Sequence, residues 1–390
     1  MKFQSVGSQY NFVDAWRHLF AHGGQDAVDT LTSVLQQRFG GTAYLYSNGR
    51  SALAAALRPV VTASDEVAIN GFTCYVVQEA VHTAGAKPLF LDIDLSTLNF
   101  SETQLNDAIA SHPNLRAIIV QNTFGIACDI VAIERFAHEH GIVLIEDLAH
   151  SVGLVYSDGR QAGTVGDFIM LSFGRDKLLD CVSGGALVIR NQAYAEKIQA
   201  PVHLPAAAAV RRDRWYPMLM WLARTTYPVG IGKLLMHIYR TTGLVVRTAD
   251  GSIDPLCTMP AWQARRVSTR LKQLDTDLNR RQKIIDTYTS KLASSLHHSG
   301  APVRFAFLAK NRTRVLNTLR SHHFYFDDTW YDTPIGPARL FEKVDYPEQS
   351  CPHAVSVAQS IINLPTHRGI SPDDAGHIAD IIQGVERESV

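Results

Sequence analysis

The chain is predicted to fold as an α/β protein. A large domain on a mostly parallel sheet flanked by helices is followed by a smaller C-terminal α+β domain. Short apolar runs bounded by polar or glycine residues recur between about residues 43 and 190, separated by runs with helical spacing. That alternation is the pattern of βαβ units. Two of the runs, IVLI and FIML, lead into Glu146–Asp147 and Ser172, with Lys177 five residues after Ser172. Ligands of open α/β sheets sit beyond the carboxyl ends of the strands, so Asp147, His150, Ser172 and Lys177 are placed to face one crevice. A length of 390 residues, 46% apolar and 19% charged, is enough for one large core and a second, smaller one. The expected boundary puts residues 1–250 in the large domain and 251–390 in the small one.

Residues 1–24 read as irregular and aromatic, with Phe3, Tyr10, Phe12, Trp16 and Phe20. Residues 25–39 place Val28, Leu31, Leu35 and Phe39 near a 3.6-residue period and read as a helix. AYLY (43–46) reads as a strand and Asn48–Gly49 as a turn. A helix follows from Arg50, and its first N–H groups favour a phosphate; an ordinary strand–helix turn is the other reading. EVAI (66–69) is the next strand, followed by NGFTCYVVQEAV, where Phe72 reads as core. In KPLFLDID, Asp92 and Asp94 read as turn residues and not as a metal pair, because no third ligand is near in sequence. RAIIVQNTFG (116–125) is a buried strand reaching Asn122, and VAIERFAHEHG is a crossover helix. Its His138 and His140, two apart, point to different faces and read as solvated.

Residues 201–250 break the pattern. They are apolar and aromatic but interrupted by Arg224, Lys233 and Arg240, and Pro217 and Pro228 should break a long helix. No uncharged run reaches the roughly 18–20 residues that span a bilayer. Three readings stay open: interface helices, a lid over the site, or an amphipathic surface touching membrane, with the first favoured on composition. From Pro260 a long helix carries Leu271, Leu274, Leu278, Ile285, Tyr288 and Leu292 on one face. VRFAFLA, TRVLNTLRSHH and SIINLPTHRGISPDDAGHIADII supply the strands and helices of the C-terminal part.

Several function classes are disfavoured. Lys+Arg and Asp+Glu both number 37, so nothing pulls the chain as a whole toward nucleic acid or an anionic membrane. Five scattered cysteines without a CxxC argue against a disulfide framework or a zinc site. No G-x-G-x-x-G follows the first strand and no G-x-x-x-x-G-K-[ST] occurs, which disfavours dinucleotide and P-loop chemistry. The start lacks an apolar signal core, and the cytoplasm is the expected compartment. A lysine, a strand-end aspartate and a hydroxyl do fit pyridoxal 5'-phosphate (PLP). The amine bonds the aldehyde, the aspartate keeps the pyridine nitrogen protonated, and the hydroxyl donates to phosphate. Spacing alone leaves open a surface Lys177 and a helix-capping Asp147.

EDLAHS, GDFIMLSFGRDK and GGAL resemble, in order, spacing and residue type, the ED-x-A-[QH], SF-x-x-x-K and GG-A segments of the DegT/DnrJ/EryC1/StrS aminotransferases, fold-type I PLP enzymes. The resemblance covers most of the chain and weakens after about residue 190. It implies Lys177 as the Schiff-base lysine, Asp147 as the pyridine partner, His150 near the phenolic oxygen and Ser172 on the phosphate. NGRSAL stands where the family has SGT-x-AL, which implies Gly49, Arg50 and Ser51 as the phosphate cradle. At the ring-stacking position the chain has Cys74, which leaves stacking to Tyr75 or to the thiol face. The family's Asn-x-Arg-Met segment, whose Asn reaches the partner subunit's phosphate, is replaced here by PLCTMP. His322, His323, Trp330 and Tyr331 lie where relatives place substrate-facing groups. The resemblance implies a homodimeric aminotransferase that moves an amino group from glutamate to a nucleotide-linked keto sugar. Alternatives are a dehydratase or lyase of the same family, against which Lys177 argues, or a non-catalytic relative.

Overall fold

The computed structural model describes residues 8–293, 296–326 and 330–388; Phe3 lies outside them. The strands of the first half are β1 (Thr42–Tyr46), β2 (Glu66–Asn70), the short β3 (Thr73–Cys74), β4 (Lys87–Leu91), β5 (Leu115–Val120), β6 (Val143–Asp147), β7 (Phe168–Ser172) and β8 (Gly185–Ile189). All but β3 form a seven-stranded sheet in the order β1-β8-β7-β6-β5-β2-β4. The pairs from β4 through β7 are parallel, and β8 is antiparallel to both β7 and β1. Helices α1 (Phe12–Leu19) and α2 (Gln25–Phe39) precede β1, and α3 (Gly49–Leu57), α4 (Tyr75–Ala84), α5 (Glu102–Ser111) and α6 (Ile130–His140) lie among the strands in sequence. The expected mostly parallel α/β sheet is therefore present.

Strand residues alternate between two cores, as the two-residue pleat requires. Val143 and Ile145 join α3 and α4 on one face, whereas Leu144 joins α2 and α6 on the other. Beyond β8 come α7 (Ala207–Thr225), α8 (Ile231–Thr241), α9 (Ala261–Lys272) and α10 (Leu274–Lys291). The predicted long helix is α9 and α10, which meet at Gln273. Leu271 and Leu274 belong to the α2/α6 core, while Ile285, Tyr288 and Leu292 belong to a third. One helical rod thus spans two cores. The third core packs α10 against β9 (Arg304–Leu308), α11 (Arg312–Ser321), and two later elements. Between them come β10 (Ile335–Gly336), α12 (Ala338–Phe341) and α13 (Pro352–Ser360); the later two are β11 (Ile361–Pro365) and α14 (Pro372–Arg387). β11 pairs antiparallel with β9, and β10 pairs parallel with β3. α13 returns to the first core, so the C-terminal residues do not all separate from the large sheet.

Two expectations need correction. Residues 12–19 are helical, not irregular: Asn11 caps α1 by accepting from Asp14 N. Phe12, Trp16 and Phe20 follow a helical spacing, with ring centroids 5.9 and 4.5 Å apart, yet they face outward, so the stripe marks no core. Pro217 does not end its helix either; α7 runs through it, and the break falls at Pro228. Proline removes the N–H that would bond the carbonyl four residues back. That carbonyl, Asp213 O, accepts instead from His18 Nε2 of α1 at 3.2 Å. Burial drives the His18 pKa down to about 3, so the ring is neutral with its proton on Nε2.

His18→Leu should cost about 1–3 kcal/mol, because the Asp213 carbonyl loses its donor. In a Pro217→Ala background the restored N–H takes that carbonyl, and the same substitution should cost less. Denaturant melts of the four proteins measure the difference; equal costs in both backgrounds would show that His18 does not serve this carbonyl.

Candidate active site

β6 delivers two neighbouring carboxylates to opposite faces of the sheet. Glu146 is fully buried on one side and accepts from Tyr156 Oη (2.9 Å) and from the N–H groups of Gly163 (2.8 Å), Val165 (2.9 Å) and Gly166 (2.7 Å). Asp147 faces the other side, 2% exposed, and accepts one hydrogen bond, from Ala149 N at 2.8 Å. Burial lifts its pKa to about 6, against the pull of Ala149 N–H and Lys177.

β7 ends in Ser172, and the loop after it brings Lys177 to the same side. The loop is held at Asp176, whose backbone sits at φ +64° and whose N–H meets Ser8 Oγ and Asp180 Oδ2, both at 3.1 Å. Tyr10 and Ser8 in turn donate to Asp180. The Lys177 amine lies 4.5 Å from the Trp330 ring centre, and the buried Arg304 guanidinium lies 3.8 Å from it. Burial lowers the Lys177 pKa and Arg304 lowers it further, while Cys74, Asp147 and Asp176 oppose the shift. More of the amine is therefore neutral than for a surface lysine.

His150 stacks on Trp330 (centroids 4.9 Å) and on Phe124 (5.7 Å), and its Nδ1 accepts from Phe124 N at 3.2 Å. Its pKa falls well below the usual value through burial and the positive charges of Lys177 and Arg304. A neutral ring that accepts at Nδ1 carries its proton on Nε2, which leaves a donor there.

α3 starts against the end of β7. A Cβ at Gly49 would lie 3.0 Å from Ser172 Cβ and 3.0 Å from Met170 Sδ, so the helix start approaches only because position 49 is glycine. Two side chains of the expected cradle are turned elsewhere. The Arg50 guanidinium donates to the carbonyls of Thr248, Ala249 (3.4 Å) and Gly251 (2.8 Å). Ser51 gives its N–H to Asn48 Oδ1 (2.9 Å) and accepts from Asp254 N at its hydroxyl (3.0 Å). Both fasten the 248–254 segment to α3. What faces Ser172 is the helix start itself.

Cys74 caps α4 and borders Lys177, whereas the Tyr75 hydroxyl pairs with Glu79. Trp330 and Tyr331 join the site, but His322 and His323 are exposed, with His322 against His377, and do not. Arg304 went unrecognised; the one signal was a charge opening an otherwise apolar strand, RFAFL. A small cavity of about 70 Å³ opens beside Lys177, walled by Arg270, Arg280, Arg281 and Arg368. A hollow of about 650 Å³ along β4 shares no residue with it. Among the described residues no cluster fits a metal ion; Asp94 accepts from Ser96 N in its own turn, whereas Asp92, read as a turn residue, accepts from His353 N and Ala354 N at the start of α13.

These residues fit PLP. A buried, singly bonded carboxylate suits a protonated ring nitrogen. His150 offers a fixed donor, Lys177 a partly neutral amine, and the α3 start with Ser172 offers donors for a dianion. Fold and site together define a fold-type I PLP enzyme. A family model, the DegT/DnrJ/EryC1/StrS aminotransferase family, matches residues 39–383, and the chain belongs to that family, whose cofactor is PLP. Among relatives, GDP-perosamine synthase of Caulobacter vibrioides is 25% identical over 85% of this chain and 82% of its own. The spore coat polysaccharide biosynthesis protein SpsC of Bacillus subtilis is 23% identical over 82% of this chain and 79% of its own. The S. venezuelae DesV structure superposes with a TM-score of 0.72 at 21% identity, covering 96% of this chain and 94% of that one.

Asp147 makes the cofactor-free protein pH-sensitive. Its folded pKa, about 6, lies above the unfolded carboxylate value of 3.8. The folded state therefore binds more protons in that window, and stability falls as pH rises through it, by up to about 3 kcal/mol. Cofactor-free Asp147→Asn should lose that slope and exceed the parent in stability near pH 7. Parallel slopes in denaturant melts from pH 4 to pH 7 would exclude Asp147 as the source.

Arg50→Thr should lower the melting temperature while changing the PLP dissociation constant by less than about threefold, since its hydrogen bonds run to backbone carbonyls. Binding weakened by about tenfold or more would return the guanidinium to the phosphate.

Proposed function

We propose that the protein transfers an amino group from glutamate to a nucleotide-linked keto sugar, with PLP held between Asp147, His150, Ser172, Lys177 and the start of α3. The observation that carries this reading is the convergence of Lys177 and Asp147 in one buried crevice. The relatives named GDP-perosamine synthase and spore coat polysaccharide biosynthesis protein support the substrate class and a place in polysaccharide biosynthesis. Family likeness supports a cytoplasmic homodimer.

When bound, PLP supplies an electron sink that stabilises negative charge at the substrate carbon. The chain's own groups do the rest. Asp147, ionised beside a positive ring nitrogen, holds that nitrogen's proton. His150 Nε2–H donates to the phenolic oxygen, and its lowered pKa keeps the ring a donor and not a second cation. Gly49, Arg50 backbone N–H and Ser172 hold the phosphate. Cys74, at the start of α4 beside Lys177, would border the ring. Lys177 is the base: its lowered pKa favours the neutral amine that takes and returns a substrate proton. Trp330, Tyr331 and Phe124 exclude water around it.

Lys177→Ala should abolish both the borohydride-sensitive absorbance near the visible edge and amine formation. The test loads the parent and the variant with PLP and glutamate and screens keto-sugar nucleotides for aminated product. Product from the variant at the parent's rate would remove Lys177 from the mechanism; no product from the parent with any keto sugar would remove the substrate class.

A further inference from the structure

α7 is flanked by α1, with Phe12 against Trp221 at 5.0 Å, and by α8. These three helices carry much of the molecule's exposed apolar surface. Trp16 (51%) and Phe20 (55%) stand out on α1, and Ile231 (53%), Leu234 (60%) and Ile238 (40%) form one stripe on α8. The opposite flank of α8 buries Gly232 and Tyr239 against the protein, so the outward stripe is not the one that holds the helix in place. Surface of this kind is rarely left bare on a soluble protein.

The charge around it has one sign. From Arg214 to Ala249 the sequence contains Arg214, Arg224, Lys233, Arg240 and Arg247 and no aspartate or glutamate, in a chain whose net charge is zero. The acids that bracket the stretch turn away from it. Asp213 accepts from Ser183 Oγ at 2.5 Å, and Asp250 pairs with Arg339 at 2.5 Å. Lys233, Arg240 and Arg247 are exposed.

We infer that the α1/α7/α8 face docks on an anionic lipid surface. α8 lies in the interface with Ile231, Leu234 and Ile238 inserted among the headgroups, the outward aromatics of α1 beside it, and its cations on the polar side. An apolar stripe on a helix whose polar positions are cationic is the pattern of an interfacial helix, and lipid charge adds to the apolar insertion. A second copy of the chain is the rival occupant, and composition alone favoured it. A two-fold pairing through α7 and α8 would bring the same acid-free stretch onto itself, cation against cation, with no acid in that stretch to answer. Among the described residues no helix is long and apolar enough to cross a membrane, so the contact is superficial.

The test uses the full-length, PLP-loaded protein in flotation with vesicles of phosphatidylcholine alone and of phosphatidylcholine mixed with phosphatidylserine. Binding to the mixed vesicles only, weakened by salt, is expected. Leu234→Glu/Ile238→Glu and, separately, Lys233→Glu/Arg240→Glu should each reduce it by at least about tenfold. Light-scattering mass, melting temperature and transamination in solution should not change. These side chains are exposed and lie outside the catalytic crevice, so the unchanged melt certifies folding. No flotation of the parent with either vesicle overturns the proposal. So does a fall in assembly mass in the Leu234→Glu/Ile238→Glu variant, which would make the face a contact between copies. Neither outcome touches the aminotransferase reading, whose assay needs no lipid.

Discussion

Four donors converge on the buried Glu146 carboxylate, and the position of the catalytic crevice follows from that. Hydrogen bonds to a carboxylate are worth about 1.5–3 kcal/mol each, and a buried carboxyl group without partners is costly. Three of the donors are backbone N–H groups of residues 163–166, the stretch that leads from the β6 crossover into β7. Gly163 reaches the carboxylate at φ +92°, where a Cβ would come within 2.6 Å of the Phe39 ring. With Glu146 anchored under the sheet, the pleat commits Asp147 to the upper face. Anchored residues 163–166 also fix where β7 begins, and so where Ser172 ends it and where the Lys177 loop departs.

The groups above the sheet are tuned mainly by desolvation, and their shifts are complementary. Burial lifts Asp147, lowers Lys177 and lowers His150. Each shift favours the neutral form of an isolated group, and a bound cation–anion partner reverses it where charge is wanted. The Lys177 amine and the Arg304 guanidinium both lie against Trp330, and their positive charges add to burial in lowering His150.

The site was legible in the sequence where its residues lie close together along the chain. Asp147, His150, Ser172 and Lys177 fall within one stretch, and strand-end logic alone gathers them. Arg304, in contrast, reaches the crevice from β9; its local mark is a charge opening an apolar strand, which says nothing of the distant tryptophan beside it. The cradle was only half readable. The start of α3 could be located, but where the Arg50 and Ser51 side chains point depends on the 248–254 segment, about two hundred residues further along the chain. The same holds for the fold. Periodicity found the strands and α2. It misread α1, whose stripe faces out, and Pro217, whose missing hydrogen bond is made good by His18 from another helix. Local rules failed where tertiary partners supplied what the local sequence lacked.

The antiparallel β8 has a consequence for how the molecule can vary. Its reversed direction drops the chain at the edge of the sheet remote from the crevice, and residues 190–203 climb back. There His203 pairs with Cys257: His203 N bonds Leu256 O at 3.1 Å, and Thr258 N bonds His203 O at 2.8 Å. The helical excursion of α7 and α8 therefore leaves and returns at a single closed stem. Closing a longer or shorter loop at a fixed stem changes the chain entropy only slowly. A lineage can redecorate the outer face of α7 and α8 without shifting any strand of the sheet, whereas the 248–254 end of the excursion stays tied to Arg50 and Ser51 at the start of α3.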